Sequence, residues 1–304
     1  MVEGGSSDAV ALAVSFSDAG LETDLIEPDA ATRERIAHFL KRDGVGASLS
    51  LRSEERDISY ATRIVSEAGA AGARVFHTSF HKMPEGGVAI VPTPPASRRL
   101  IEICPGAEAS EASLEAARGL VAATGRQVYV STPGAGSTVF HLWRALVQTA
   151  ERLLLEGADP FETDEALGAR GWDLGVFEAQ DLIGSDRLLA DRRAVGAPVC
   201  PVHDRMVEEG RLGRAASVGW YRYPGGGGAV IDPLVEDLIR EEAHFAGVVP
   251  VARSAEEVAE MLETMLRAEA EVVLGGGDVA LILREGFGLP VSGQTEPAVL
   301  KDQL

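Results

Sequence analysis

The 304-residue sequence predicts an α/β domain followed by an all-helical region. Three observations predict it. Small apolar and strand-like runs alternate with glycine and proline turns over the first third of the chain. Beyond it, Leu142, Leu146, Ala150, Leu153 and Leu154 recur at helical spacing. A proline-and-glycine stretch, 224–228, then precedes a further helical region.

In chain order, residues 9–16 are small and apolar and read as a helix closed by Asp18-Ala19-Gly20. Residues 21–27 follow as a strand-like run ending in Glu27, and residues 31–42 as a helix after the Pro28-Asp29 turn. Helix, glycine, strand, acid, helix is the second piece of a dinucleotide-binding βαβ unit, in which the acid after the second strand hydrogen-bonds a ribose. The strand that precedes the first helix is reduced to Met1-Val2-Glu3, so the parallel sheet is expected to lack its central strand or to replace it. Residues 64–67, 74–80, 88–91 and 100–103 read as further strands or strand ends.

Residues 142–156 form an amphipathic helix that ends at Gly157, where a left-handed residue belongs. Thr163 is expected to precede a second helix, with Asp164 and Glu165 in its first turn and Gly171 as its stop; Asp181 to Gly184 ends a third. In the tail, residues 231–235 start a helix that runs to about His244. Ser254 and Glu257 form a capping box that opens a helix to about residue 274. The stretch 264–276 parallels 145–157, and 278–289 parallels 164–174, an internal repeat of the helical module. The expected domains are 1–130, 131–224 and 225–304, with Leu262, Leu266, Val273 and Leu281 buried against the first helical copy.

The ordered series Pro133, Gly134, Glu156, Gly157, Asp164, Ala166, Gly171, Trp172, Gly175, Phe177, Asp181, Ile183, Gly184 and Asp186, closed by 210–213 (GRLG) and 219–223 (GWYRY), resembles the C-terminal helical domain of the 3-hydroxyacyl-CoA dehydrogenase family. The tail resembles the second helical copy of multifunctional fatty-acid oxidation enzymes. The resemblance implies a truncated Rossmann-like domain followed by two such helical modules. It implies an acyl-thioester substrate lying beneath a nicotinamide, with NAD as cofactor. It places Gly4, Ser6 and Ala9 at the three fingerprint positions and Glu27 at the ribose acid. The middle glycine, which lets a diphosphate approach the backbone, is therefore serine, and Asp8 adds negative charge there. From these departures no bound cofactor is the expectation, with NAD the alternative.

In the family a serine near the substrate hydroxyl follows the strand matched by residues 74–80, so the resemblance maps it to Ser79 and puts His77 at an asparagine position. The family's general base is a histidine oriented by a glutamate. Glu102 matches the glutamate, and counting with Pro94 in register puts Ile90 at the histidine, where an aliphatic chain cannot take a proton. Glu102 is then a carboxylate without its expected partner, which burial would make costly or hold protonated. The family's substrate-holding asparagine maps to Thr138 or to Phe140, with Ser137 and His141 close by. His77 and His81 are the candidates to replace the lost histidine.

The sequence bounds the alternatives. A net charge of −19 argues against nucleic acid. No run of about twenty apolar residues predicts a membrane span, and the N-terminus lacks the pattern of a signal peptide, so the cytoplasm is the expected compartment. Two cysteines, Cys104 and Cys200, and unpaired histidines carry no metal or disulfide signal. Lysine stands only at 41, 82 and 301, so Schiff-base chemistry would fall to Lys82. The expected function is a member of this family repurposed to bind an acyl-thioester or polyketide-like substrate. It would act, as monomer or homodimer, by non-redox proton transfer or cyclisation through Glu102, Ser79 and His77 or His81, with Thr138 and His141 in support. The alternatives are an NAD-dependent dehydrogenase and a non-catalytic binding protein.

Overall fold

The computed structural model describes residues 1–4, 6–55, 62–65, 75–77, 81, 84–95 and 99–290. Ser79 and Lys82 lie outside the described residues. Two compact units divide the chain, residues 1–138 and 139–304.

The first unit is built on eight strands: β1 (Val2–Glu3), β2 (Thr23–Ile26), β3 (Leu49–Arg52), β4 (Arg63–Val65), β5 (Val75–His77), β6 (Val88–Pro92), β7 (Leu100–Pro105) and β8 (Gln127–Val130). Their order across the sheet is β3-β2-β1-β4-β5-β6-β7-β8, parallel except for the antiparallel pair β6 and β7. The expectation that the central strand is lost is corrected. β1 is only two residues long, but it pairs with β2 on one side and β4 on the other, and backbone bonds at its ends (Gly4 N–H to the Ile26 carbonyl at 2.9 Å, Ile64 N–H to the Met1 carbonyl at 3.0 Å) extend the pairing. A short strand suffices where neighbours satisfy both its edges.

The helices of this unit are α1 (Ser7–Asp18), α2 (Ala30–Asp43) and α3 (Glu111–Ala122). Ala9, Leu12, Ala13 and Phe16 of α1 and Ala117 and Val121 of α3 are buried with Val2, Leu25, Ile64, Phe76, Val88, Ile90, Ile101 and Ile103. Burying each large aliphatic or aromatic side chain contributes about 1.5–3 kcal/mol, so this face of the sheet is the unit's main source of stability.

The second unit is helical: α4 (Thr138–Leu155, its first residue counted with the first unit), α5 (Pro160–Ala169), α6 (Val176–Ile183), α7 (Ser185–Ala194) and α8 (Pro201–Glu208), then α9 (Leu234–Ala246) and α10 (Ala255–Leu274). A small antiparallel ribbon pairs β9 (Tyr221–Arg222) with β10 (Val230–Ile231). α10 opens on the capping box of Ser254 and Glu257 and closes on left-handed Gly275. It packs on α5, where Arg170 bridges to Glu263 at 3.0 Å. Leu262 and Leu266 are buried as expected, whereas Val273, in the last turn of α10, is exposed, and Leu281, beyond that helix, is half-buried. The start of α5 is also corrected. Asp159, not Thr163, caps it, accepting the Phe161 and Glu162 N–H groups at 2.8 Å each, with Pro160 in the first turn.

Candidate functional site

Ladder register decides which side chains share a face. His77 pairs with Ala89, Ala89 with Cys104, Val91 with Glu102, and Glu102 with Tyr129. His77, Cys104, Glu102 and Tyr129 therefore lie on one face of the sheet, opposite the apolar face that α1 and α3 cover. Ile90 pairs with Ile103 and points into the apolar core. The position beside the Glu102 carboxylate is thus held by Val91 rather than by Ile90; neither can take a proton.

Glu102 is wholly buried but well partnered. Its Oε1 accepts the Thr138 N–H at 2.7 Å, and its Oε2 accepts the Ser137 hydroxyl. The expectation of an unpartnered carboxylate is corrected: Glu102 binds the first N–H of α4, where the helix dipole also favours negative charge. Around it, Thr138 Oγ1 lies 3.3 Å from the Tyr129 hydroxyl, and Ser131 Oγ donates to the Ile103 carbonyl at 3.3 Å. Burial pushes the Cys104 thiol well up, and the charge of Glu102 adds to this, so the group is an unreactive thiol.

The other predicted positions separate. His77 is buried at the C-terminal end of β5, where ligands gather in open parallel sheets. Burial lowers its pKa, and its Nδ1 has no hydrogen-bond partner among the described residues. His81 is exposed. His141, in the first turn of α4, meets Glu269 of α10 with Nε2 to Oε1 at 2.7 Å. Phe140 is buried under the Arg187 guanidinium, 4.7 Å from its ring centre. Tyr129 and Glu269 carry no sequence expectation. The alternation of 127–130 places Tyr129 in phase with Glu102 once the strand pairing is known, but nothing local marks Glu269.

Residues 138–223 match the family model described as 3-hydroxyacyl-CoA dehydrogenase, C-terminal domain. A peroxisomal bifunctional enzyme of Danio rerio is 27% identical over 217 residues, 63% of this chain and 30% of that protein. A 3-hydroxybutyryl-CoA dehydrogenase of Bradyrhizobium diazoefficiens is 31% identical over 136 residues, 41% of this chain and 46% of that one. In fold, the dehydrogenase part of multifunctional enzyme 1 from C. elegans superposes with a TM-score of 0.63 at 19% identity, covering 95% of this chain and 78% of the other. An Escherichia coli 3-hydroxybutyryl-CoA dehydrogenase does so with a TM-score of 0.64 at 17% identity, covering 95% and 88%. The helical region is thus similar to the C-terminal domain of the 3-hydroxyacyl-CoA dehydrogenases, and the chain shares the fold of these solved structures. The chain spans about a third or less of the length of the peroxisomal bifunctional enzymes it matches.

The dehydrogenase motif of the helical region has a structural explanation. Asp164 is buried and accepts the Phe177 and Glu178 N–H groups at 3.0 and 2.9 Å, which caps α6, and the Tyr221 hydroxyl at 3.0 Å. Asp181 accepts the Trp220 and Tyr221 N–H groups at 2.8 Å each and the Tyr223 hydroxyl at 3.0 Å. A Cβ on Gly175 would strike the Asp164 carboxylate, and one on Gly219 the Asp181 carboxylate. The motif is a pair of carboxylate clamps with glycines that let backbone approach them.

A dinucleotide would meet the first unit at the carboxyl ends of its parallel strands. The sheet order reverses beside β1, which forms the crevice such cofactors use. Glu27 sits at the end of β2, but its Oε1 accepts the Asp29 N–H at 2.7 Å. Gly4 is left-handed. Ser6 caps α1, its hydroxyl taking the Ala9 N–H at 3.2 Å, and Ala9 itself is buried in the core. Asp8, a buried acid, stands in the first helical turn. A helix N-terminus holds a diphosphate through free N–H groups and positive potential. Here one N–H is capped from within and an acid adds opposing charge. The ribose end fits a dinucleotide; the diphosphate end does not.

Among the described residues no cluster of ligating side chains could hold a metal, and no helix is long and apolar enough to cross a membrane.

Proposed function

We propose that this 3-hydroxyacyl-CoA dehydrogenase-like chain binds an acyl-thioester or polyketide-like substrate and acts on it by proton transfer or cyclisation without hydride transfer. The carrying observation is the state of Glu102. A glutamate that would orient a catalytic histidine instead holds Ser137 and the first N–H of α4, and its cross-strand neighbour is Val91. Losing a general base typically costs about 10²–10⁴ in rate, so ordinary dehydrogenation has little support. The poor match of the α1 N-terminus to a diphosphate agrees with this reading, and we propose that no dinucleotide is bound. We also read residues 225–304 as a second helical copy. Its support is that α10 ends on a left-handed glycine, as α4 ends at Gly157, and packs on α5 of the first.

The second reading, an NAD-dependent dehydrogenase, draws on the strand order, with β1 paired on both edges, and on Glu27 at the end of β2. Calorimetric titration with NADH, alone and with acetoacetyl-CoA, separates the two. Binding of acetoacetyl-CoA without NADH is the expected result. Tight NADH binding, with oxidation of NADH by acetoacetyl-CoA, would overturn the proposal.

A further inference from the structure

We infer that His141 and Glu269 form a base and its orienting carboxylate, and that His141 removes the proton next to the carbonyl of a thioester substrate. This rests on the thioester-binding reading above.

Glu269 Oε1 lies 2.7 Å from His141 Nε2. An ionised carboxylate only accepts, so Nε2 carries the hydrogen, and in the neutral imidazole Nδ1 is then the atom with the lone pair. The imidazole side chain is 43% exposed and Glu269 34%, so the pair is open to solvent while the ring is oriented by its hydrogen bond. Among the described residues, no other hydrogen bond or ion pair engages the His141 ring. Nucleophile- and base-bearing sites share this logic, a base held in one tautomer by a third group. By contrast His77 is buried.

The step is balanced without a co-reactant. Nδ1 takes the proton from the carbon next to the thioester carbonyl. The C–H electron pair moves into the enolate, and the imidazolium returns a proton to the same carbon. In D₂O the returned proton is deuterium, so the reaction is visible as exchange.

The probe is 3-hydroxybutyryl-CoA in D₂O, followed by NMR at C2, with binding measured by calorimetry on the same full-length chain. The expected result is exchange by the wild type, lowered about 10²–10⁴-fold in His141→Gln with binding retained. Glu269→Gln is expected to lower it at least about tenfold, because an amide can donate or accept and so holds neither tautomer. Added imidazole should restore exchange to His141→Gly, which loss of a mere inter-helix strut would not allow. Unchanged exchange in His141→Gln would overturn the inference. So would absence of exchange in the wild type while the thioester still binds. Failure of the thioester to bind at all would instead remove the reading on which the inference rests.

Discussion

Glu102 shows how a single side chain redirects a site. Each of its oxygens already accepts one hydrogen bond, from Ser137 and from Thr138. Although each keeps a further lone pair, a histidine restored beside it would still lack a diphosphate site, since Ser6 caps α1 and Asp8 adds negative charge there. Val91→His is therefore expected to leave NADH-dependent reduction of acetoacetyl-CoA at background in a spectrophotometric assay. Glu102→Gln keeps one acceptor for the Thr138 N–H and loses the charge. Hydrogen bonds to charged groups are worth about 1.5–3 kcal/mol, and a loss of that order should appear in urea unfolding. The resemblance identified Glu102 as the residue to watch but not what it does. Its partners arrive from 35 and 36 residues away in sequence, through the return of the chain from β8 into α4.

At the scale of elements, legibility followed the locality of the signal. The capping box of α10, the glycine after α4 and the stop at Gly171 are local chemistry and were readable from neighbouring residues. The clamps were visible as a motif, but their mechanism was not, since Asp164 meets Tyr221 and Asp181 meets Tyr223 only after folding. β3, α3 and β8 had no counterpart in the sequence reading, although Ser110 caps α3 in the ordinary way. The central strand was misjudged because its strength comes from neighbours and not from its own length. The clamp mechanism makes a sharp prediction for Gly219→Ala. The added methyl must displace the Asp181 carboxylate, and overpacking of this kind costs about 1–3 kcal/mol, read as a lower thermal midpoint. Glycines with open space around them, such as Gly168, should tolerate alanine by the same measurement.

For the whole molecule, these buried acids set the pH response. Burial pushes Asp164 up to about 7 from 3.8, against the hydrogen bonds it accepts, with Glu178 nearby adding to the rise. Burial pushes Asp181 to about 6, opposed by its donors and by Arg211. It pushes Glu151 to about 7, opposed by the Val202 and His203 N–H groups and Arg192. In the window between the ordinary carboxylate values and about pH 7, the folded chain holds protons that the unfolded chain has released. Stability therefore falls as pH rises through that window and levels off above it. The urea midpoint should be higher at pH 5 than at pH 8, and Asp164→Asn should flatten part of that slope.

The two cysteines have a use that their chemistry alone would not suggest. Cys104 belongs to residues 1–138 and Cys200 to residues 139–304, and both are buried with raised thiol pKa values. Each compact unit thus carries one silent alkylation target of its own, protected while that unit stays closed. Mass spectrometry of pulse-labelled peptides can then time the opening of each half separately, with no engineered label.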